Sequence, residues 1–246
     1  MRPEGKRKVQ VLPDLEAISR EAATLFVSAS RNAMAPQKKV AVAISGGSTP
    51  RRLYTLLSAA PYRDQVDWQM VHFFWADERC VPKEDEASNF KTVYDRLLSK
   101  VPIPDDHIHR IKGEEDPEKA ARDYEADIKE FFGASRLPVF DLVLLGMGED
   151  GHTASLFPGS KSLEETARLA IPVYLKKPYG NRITLTLPVL NNAAQIIFLV
   201  AGSSKAMVLS EILRDREKGG EFPAGRIRPV RGTVIWLIDQ EAAGRV

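Results

Sequence analysis

The sequence predicts an α/β fold built on an open, mostly parallel β-sheet, with one domain spanning residues 1–246. Three observations predict it. Short β-rich apolar runs alternate with amphipathic helices along the chain. The run FDLVLLG, from Phe140, is continuously apolar and ends on glycine, as a central parallel strand does when helices cover both its faces. Strand, crossover and strand recur in the order that parallel pairing needs.

Taken in order, residues 14–34 carry Leu15, Ile18, Ala22, Leu25 and Ala29 at spacings of three and four, which gives a helix with one apolar face. Val40–Ile44 is a short buried strand. After SGGSTP, the segment RRLYTLL is a helix with Leu53, Tyr54, Leu56 and Leu57 as its apolar residues. MVHFFWA, from Met70, is the next strand, and SNFKTVYDRLL, from Ser88, a capped helix. Pro102 and Pro104 end that region, and a short strand is expected near Ile108–Ile111. Asp116 is the N-cap and Pro117 the first residue of a helix whose stripe is Ala120, Tyr124, Ile128 and Phe131. Beyond FDLVLLG, the runs LAIPVYL, RITLTL and QIIFLVAG are strand candidates, although Pro172 argues against a central place for the first. SSKAMVLSEIL is a helix, and VIWLI, from Val234, the last strand.

Composition narrows the function classes. The 246 residues suffice for one large α/β domain or two small ones, and no repeat or linker divides them. A net charge of +2 gives no overall basic field, so nucleic acid is not an expected partner. No apolar run reaches the roughly 18 residues that span a bilayer. The segment MRPEGKRKVQVL lacks the apolar core of a secretory signal. One cysteine excludes an intramolecular disulfide framework. The simplest expectation is a soluble cytoplasmic protein.

Ligands of open parallel sheets bind outside the carboxyl ends of the strands. Four polar or glycine-bearing segments follow strands there: SGGSTP after Ile44, DERCVP after Ala76, GMGEDGHT after Leu145 and GSSK after Ala201. The third contains GxGxxG, the dinucleotide spacing. That fingerprint needs a helix opening within the glycines, because the helix end holds the pyrophosphate. Only HTASLF separates Gly151 from Pro158. Glu149 and Asp150 would each cost about 4 kcal/mol against a phosphate charge about 4 Å away at an effective dielectric near 20. The better reading is a tight glycine loop presenting Asp150 and His152. The aspartate orients an imidazole, and the imidazole takes a proton from water near neutral pH. The bland alternative is a histidine that caps a turn.

SGGSTP suits a phosphate. Gly46 and Gly47 let the backbone approach a ligand, Ser48 and Thr49 offer hydroxyls, and Thr49 and Pro50 start a helix whose positive end favours an anion. It is neither a Walker A loop nor a nucleophile elbow. Lys205 lies in the first turn of the helix opened by Gly202, Ser203 and Ser204, where a cation is unfavourable unless an anion joins it. In ADERCVP, Arg79 can bind phosphate or steady an oxyanion while Asp77 or Glu78 holds it. Cys80 reads as a small buried residue and His72 as structural. His107 and His109 form HxH without a ligand set of zinc spacing.

With these residues in hand, the chain resembles the 6-phosphogluconolactonase family. The carrying segments are ISGGSTPRRLY, FFWADERCVP with SNF after it, GMGEDGHTASLFPG, NRITLTLPVLNNA, VAGSSKA and RPVRGTVIWLIDQEAA. The resemblance implies a Rossmann-like three-layer α/β sandwich similar to glucosamine-6-phosphate deaminase and ribose-5-phosphate isomerase. It implies hydrolysis of 6-phospho-D-glucono-1,5-lactone to 6-phosphogluconate in the pentose phosphate pathway, with no cofactor. Neither a metal nor an obligate protein partner is expected. The resemblance places the general base on His152, its aspartate on Asp150, the arginine after DE on Arg79, the phosphate turn on Gly46 to Thr49, and basic substrate contacts on Arg182 and Lys205. Asp77 and Glu78 take orienting places. A deaminase is the nearest alternative, but its loop continues toward FNEP, and Phe157 stands here where that glutamate would be. Its pattern also reads DEY where this chain has DER. The stretch Tyr179 to Asn181 departs from the more basic run common before the second arginine. A non-catalytic sugar-phosphate sensor would keep Gly46 to Thr49 but has no need of His152.

Overall fold

The computed structural model describes residues 6–32, 39–134, 136–176 and 180–245. Ten strands run through them: β1 Lys6–Leu12, β2 Val40–Ile44, β3 Val71–Trp75, β4 Asp77–Arg79, β5 Ile108–His109, β6 Leu142–Gly146, β7 Ala170–Val173, β8 Arg182–Leu185, β9 Gln195–Val200 and β10 Thr233–Asp239. The helices are α1 Leu15–Asn32, α2 Pro50–Leu57, α3 Asn89–Arg96, α4 Pro117–Phe132, α5 Leu187–Leu190, α6 Ala206–Arg214, α7 Arg216–Gly219 and α8 Gln240–Ala243. The last two residues of the helix expected over 14–34 lie outside the described residues, as does Tyr179.

The main sheet has seven strands in the order β1-β10-β9-β6-β2-β3-β5, and every pairing in it is parallel. Strands β2 and β3 are buried along their whole length, as is most of β6, β9 and β10. That is why they read as unbroken apolar runs. Phe198 and Trp236, on neighbouring strands, stack with ring centroids 3.9 Å apart inside the core. The chain order reverses between β2 and β6: β2, β3 and β5 step toward one edge, and β6, β9, β10 toward the other. The crevice at the carboxyl ends of such a pair is where an open α/β sheet binds its ligand.

Local chemistry fixes the helix starts. Asp116 accepts the Lys119 N–H at 3.0 Å, with Pro117 opening α4, and Ser88 accepts the Lys91 N–H at 3.2 Å at the head of α3.

One expectation changes. LAIPVYL and RITLTL do not join the parallel sheet. They form β7 and β8 of a separate antiparallel sheet, order β4-β8-β7, with the DER segment as its third strand. Pro172 sits on the edge strand β7, where a missing donor costs least. The N-terminal charged segment also pairs, as the edge strand β1 along β10.

Candidate active site

The loops after β2, β3, β6 and β9 meet at the carboxyl edge of the sheet. They enclose a cleft of about 160 Å³ lined by Ser45 to Pro50, Asp77, Arg79, Asn89, Gly146 to Gly148, His152, Ala154 and Lys205.

The first wall is the turn between β2 and α2. Gly47 has φ +96°, a conformation that side chains resist. A Cβ on Gly46 would overlap the Asn89 side chain, so only glycine lets α3 approach this closely. Thr49 occupies the N-cap position and Pro50 the first turn, as expected, but the Thr49 side chain makes no capping bond. The first turn of α2 therefore lacks a side-chain cap, and Ser48, Thr49 and Pro50 line the cleft. Beneath them the Tyr54 hydroxyl donates to the Ser45 carbonyl at 2.5 Å.

The second wall is β4. The expected hold of a carboxylate on Arg79 is not formed. Glu78 is buried, and its carboxylate accepts the N–H groups of Arg79, Asn89 and Phe90 at 2.7, 2.8 and 2.7 Å. It thereby ties the head of α3 to β4. Burial pushes its pKa up to about 7, against the pull of those three donors. Asp77 accepts from the Ser155 hydroxyl at 2.7 Å, and the Asn89 amide donates to the Asp77 carbonyl at 2.9 Å. Arg79 instead donates from Nη1 to the Ala87 carbonyl at 2.6 Å. Arg182 lies directly opposite Arg79 in the β4–β8 pairing. Neither arginine has an ion pair among the described residues. Burial, then the charge of Arg79, pulls the Arg182 pKa below its ordinary value. Two neighbouring guanidiniums without an ion pair are an arrangement that an anion would relieve. Cys80 is half-buried, and burial pushes its thiol up to about 11, so it is protonated and a poor nucleophile.

The third wall is the glycine loop after β6. No helix opens within GMGEDG. The chain turns at Gly151, φ +77°, and makes a short bridge from Thr153 to Leu156, so the dinucleotide geometry is absent. The loop serves the histidine. Asp150 Oδ1 accepts the His152 backbone N–H at 3.1 Å and lies 2.6 Å from Nδ1 of the ring. A carboxylate there places the ring proton on Nδ1 and leaves the Nε2 lone pair available. The His152 side chain keeps 34% of its surface exposed, and its ring lies 4.7 Å from that of Phe157. A Cβ on Gly148 would collide with the His152 ring, so this glycine makes room for the imidazole.

Lys205 closes the fourth side at the head of α6, with Nζ 3.5 Å from Glu149 Oε1. A Ser204 hydrogen bond, then Lys205, holds the Glu149 carboxyl below its usual range.

The structure thus gathers Gly46, Gly47, Ser48, Thr49, Asp77, Arg79, His152 and Lys205 around one cleft. Asp150 and Glu78 stand behind them, and Arg182 beside Arg79. Sequence reasoning missed Asn89 and Ser155, which position Asp77, and Ser45, whose buried hydroxyl has no partner among the described residues.

The family model described as glucosamine-6-phosphate isomerases/6-phosphogluconolactonase matches residues 13–236. The chain belongs to the glucosamine-6-phosphate isomerase/6-phosphogluconolactonase family. Among similar members, a 6-phosphogluconolactonase from Synechocystis sp. is 37% identical, with 96% of each chain covered. The chloroplastic 6-phosphogluconolactonase 3 of Arabidopsis thaliana is 36% identical over 99% of this chain and 76% of its own. The crystal structure of the 6-phosphogluconolactonase from Thermotoga maritima superposes with a TM-score of 0.82 at 29% identity, covering 96% of this chain and 100% of that one. A monomeric glucosamine-6-phosphate deaminase, at 22% identity and a TM-score of 0.79, shares the fold, with 97% and 100% covered.

Proposed function

We propose that the cleft hydrolyses 6-phospho-D-glucono-1,5-lactone with His152 as general base, and that one domain over residues 1–246 carries the whole reaction. The activity is that of a 6-phosphogluconolactonase, a hydrolase of sugar-phosphate metabolism in the pentose phosphate pathway. The observation that carries the mechanism is the His152–Asp150 bond, made through Nδ1, at a cleft that the uncapped turn Gly46–Thr49 also lines.

The substrate phosphate binds the N–H groups and hydroxyls of that turn. This distant anchor fixes the lactone ring over His152. His152 Nε2 removes a proton from water as its oxygen bonds to the lactone carbonyl carbon. The charge that gathers on the carbonyl oxygen is met by the cationic side of the cleft, Arg79 and Lys205, with Arg182 behind. When the tetrahedral centre collapses, the bond to the ring oxygen breaks. The proton held by His152 passes to that oxygen, giving the hydroxyl and the free acid. Asp150 holds the imidazole in its tautomer and steadies its transient positive charge. A lactone is an activated ester, so no covalent nucleophile is needed.

Phe157 separates this reading from a deaminase. The ring packed beside His152 is apolar and cannot relay a proton to an opening sugar ring. No helix among the described residues is long and apolar enough to cross a membrane. We assign the activity to the cytoplasm, while noting the chloroplastic relative in A. thaliana.

The test is proton release on mixing the protein with fresh lactone, run beside ammonia release from glucosamine 6-phosphate. The reading expects fast acid release and no ammonia. Acid release at the spontaneous rate, or ammonia as the product, contradicts it.

A further inference from the structure

A second cleft, of about 280 Å³, lies between α2 and α3 and shares no lining residue with the first. Its charged residues are Arg51, Glu86, Lys91, Asp95, Arg96 and Lys100. Both carboxylates are already engaged by Lys91, at 3.3 Å to Glu86 and 2.7 Å to Asp95. Asp95 and Glu86 raise the Lys91 pKa accordingly. Arg51, Arg96 and Lys100 remain, and none has an ion pair within 4.0 Å among the described residues.

Arg51 is the residue whose place needs explaining. It is the second residue of α2, at the positive end of a helix with no acidic residue in its first turn. A cation there is unfavourable. Its neighbour Arg52 has the same difficulty and meets it with a two-pronged bond to Glu16, at 2.5 and 3.1 Å. Arg51 has no such carboxylate. Arg96 approaches the same cleft from the last turn of α3, and Lys100 from the 3-10 turn after it. Four cations against two carboxylates leave the lining of this concavity with a net charge of +2, which focuses a positive potential there. Two of the cations are guanidiniums, whose forks match phosphate oxygens in pairs.

We propose that the α2–α3 cleft is a second anion site, which takes a phosphorylated small molecule carrying at least two negative charges. It is separate from the catalytic cleft and does not depend on the lactonase reading. Arg51 and Arg96 grip the phosphate groups, and Lys100 adds charge at the rim.

The test is calorimetric titration of inorganic pyrophosphate at fixed ionic strength into three proteins: wild type, Arg51→Gln/Arg96→Gln, and the phosphate-turn variant Ser48→Ala/Thr49→Ala. The wild-type isotherm is expected to contain a binding event that survives in the turn variant. The same event should be lost, or weakened about a hundredfold, in the cleft variant. The cleft variant should keep the wild-type melting temperature and lactone hydrolysis rate, because neither arginine serves the reaction. No pyrophosphate binding by wild type overturns the proposal. So does an isotherm unchanged in the cleft variant, or a wild-type isotherm whose every event disappears in the turn variant.

Discussion

Among the described residues histidine pairs with aspartate twice, once in the loop after β6 and once on the edge strand β5, and the two pairs do different things. At the carboxyl edge, His152 Nδ1 meets Asp150 at 2.6 Å. On the edge strand β5, His109 Nδ1 meets Asp127 at 2.9 Å. The second pair does not stop there. His109 Nε2 also bonds His72 Nδ1 at 3.0 Å, and His107 stacks on His72 with centroids 3.7 Å apart. Both nitrogens of His109 are therefore spent within the protein, and His72 is 2% exposed. The chain of donors leaves the His72 Nε2 lone pair buried with no partner among the described residues. His152 spends only one nitrogen and keeps the other at a cleft. A histidine–aspartate bond is not a site in itself; the unspent nitrogen and the room beside it make one.

Substitutions in the two pairs should separate most widely in rate. His152→Ala should lower lactone turnover by about 10²- to 10⁴-fold in a proton-release assay. His109→Ala should leave turnover near wild type while costing about 1–3 kcal/mol in urea unfolding. Comparable losses of rate from both would erase the distinction. Asp150→Asn should lower turnover by about 10- to 100-fold, with KM nearly unchanged, since the aspartate touches the imidazole and not the substrate. A KM change alone would move Asp150 into the binding surface.

The buried pair should speak through stability. Burial, with His107 and His109 beside it, pulls the His72 pKa from 6.5 down to about 3. The unfolded chain takes up this proton first. Stability is therefore intact above pH 6.5 and falls as pH drops toward 3. Denaturant unfolding across that window should show a shallower fall in His72→Phe than in wild type. Equal slopes would mean that His72 is not the group being titrated. The smallest effect belongs to the rim. Glu149→Gln removes the 3.5 Å contact to Lys205, and should change the urea unfolding midpoint and turnover little. A tenfold loss of turnover would show that Glu149 sets the Lys205 position.

What the sequence discloses about this difference follows from the range of each signal. The phosphate turn and the glycine loop were legible because their chemistry is local: glycines where φ is positive, a proline at a helix start, an aspartate two residues before a histidine. The buried strands were legible because both faces are covered. The edge strand β1 was not, since Val9 and Val11 lie 42% and 52% exposed among charged neighbours and no periodicity marks them as half-buried. The small antiparallel sheet was missed for another reason. DER is three residues long, and its partner β8 lies about a hundred residues away. The partners of Asp77 and Glu78 escaped in the same way. Ser155 reaches Asp77 across 78 positions, and the head of α3 occupies the Glu78 carboxylate that was expected to hold Arg79. Local rules show which residues carry chemistry, whereas long-range contacts decide what holds them.

His152 is expected to carry its proton on Nδ1 and to offer Nε2 to the cleft. Nitrogen-15 NMR of the histidine side chains measures that directly, in the free protein and with 6-phosphogluconate added. The expected result is an Nδ1–H tautomer for His152 whose Nε2 signal moves on adding product, while the His72 and His109 signals stay fixed. A proton on Nε2 of His152, or an Nε2 signal indifferent to product, would contradict it.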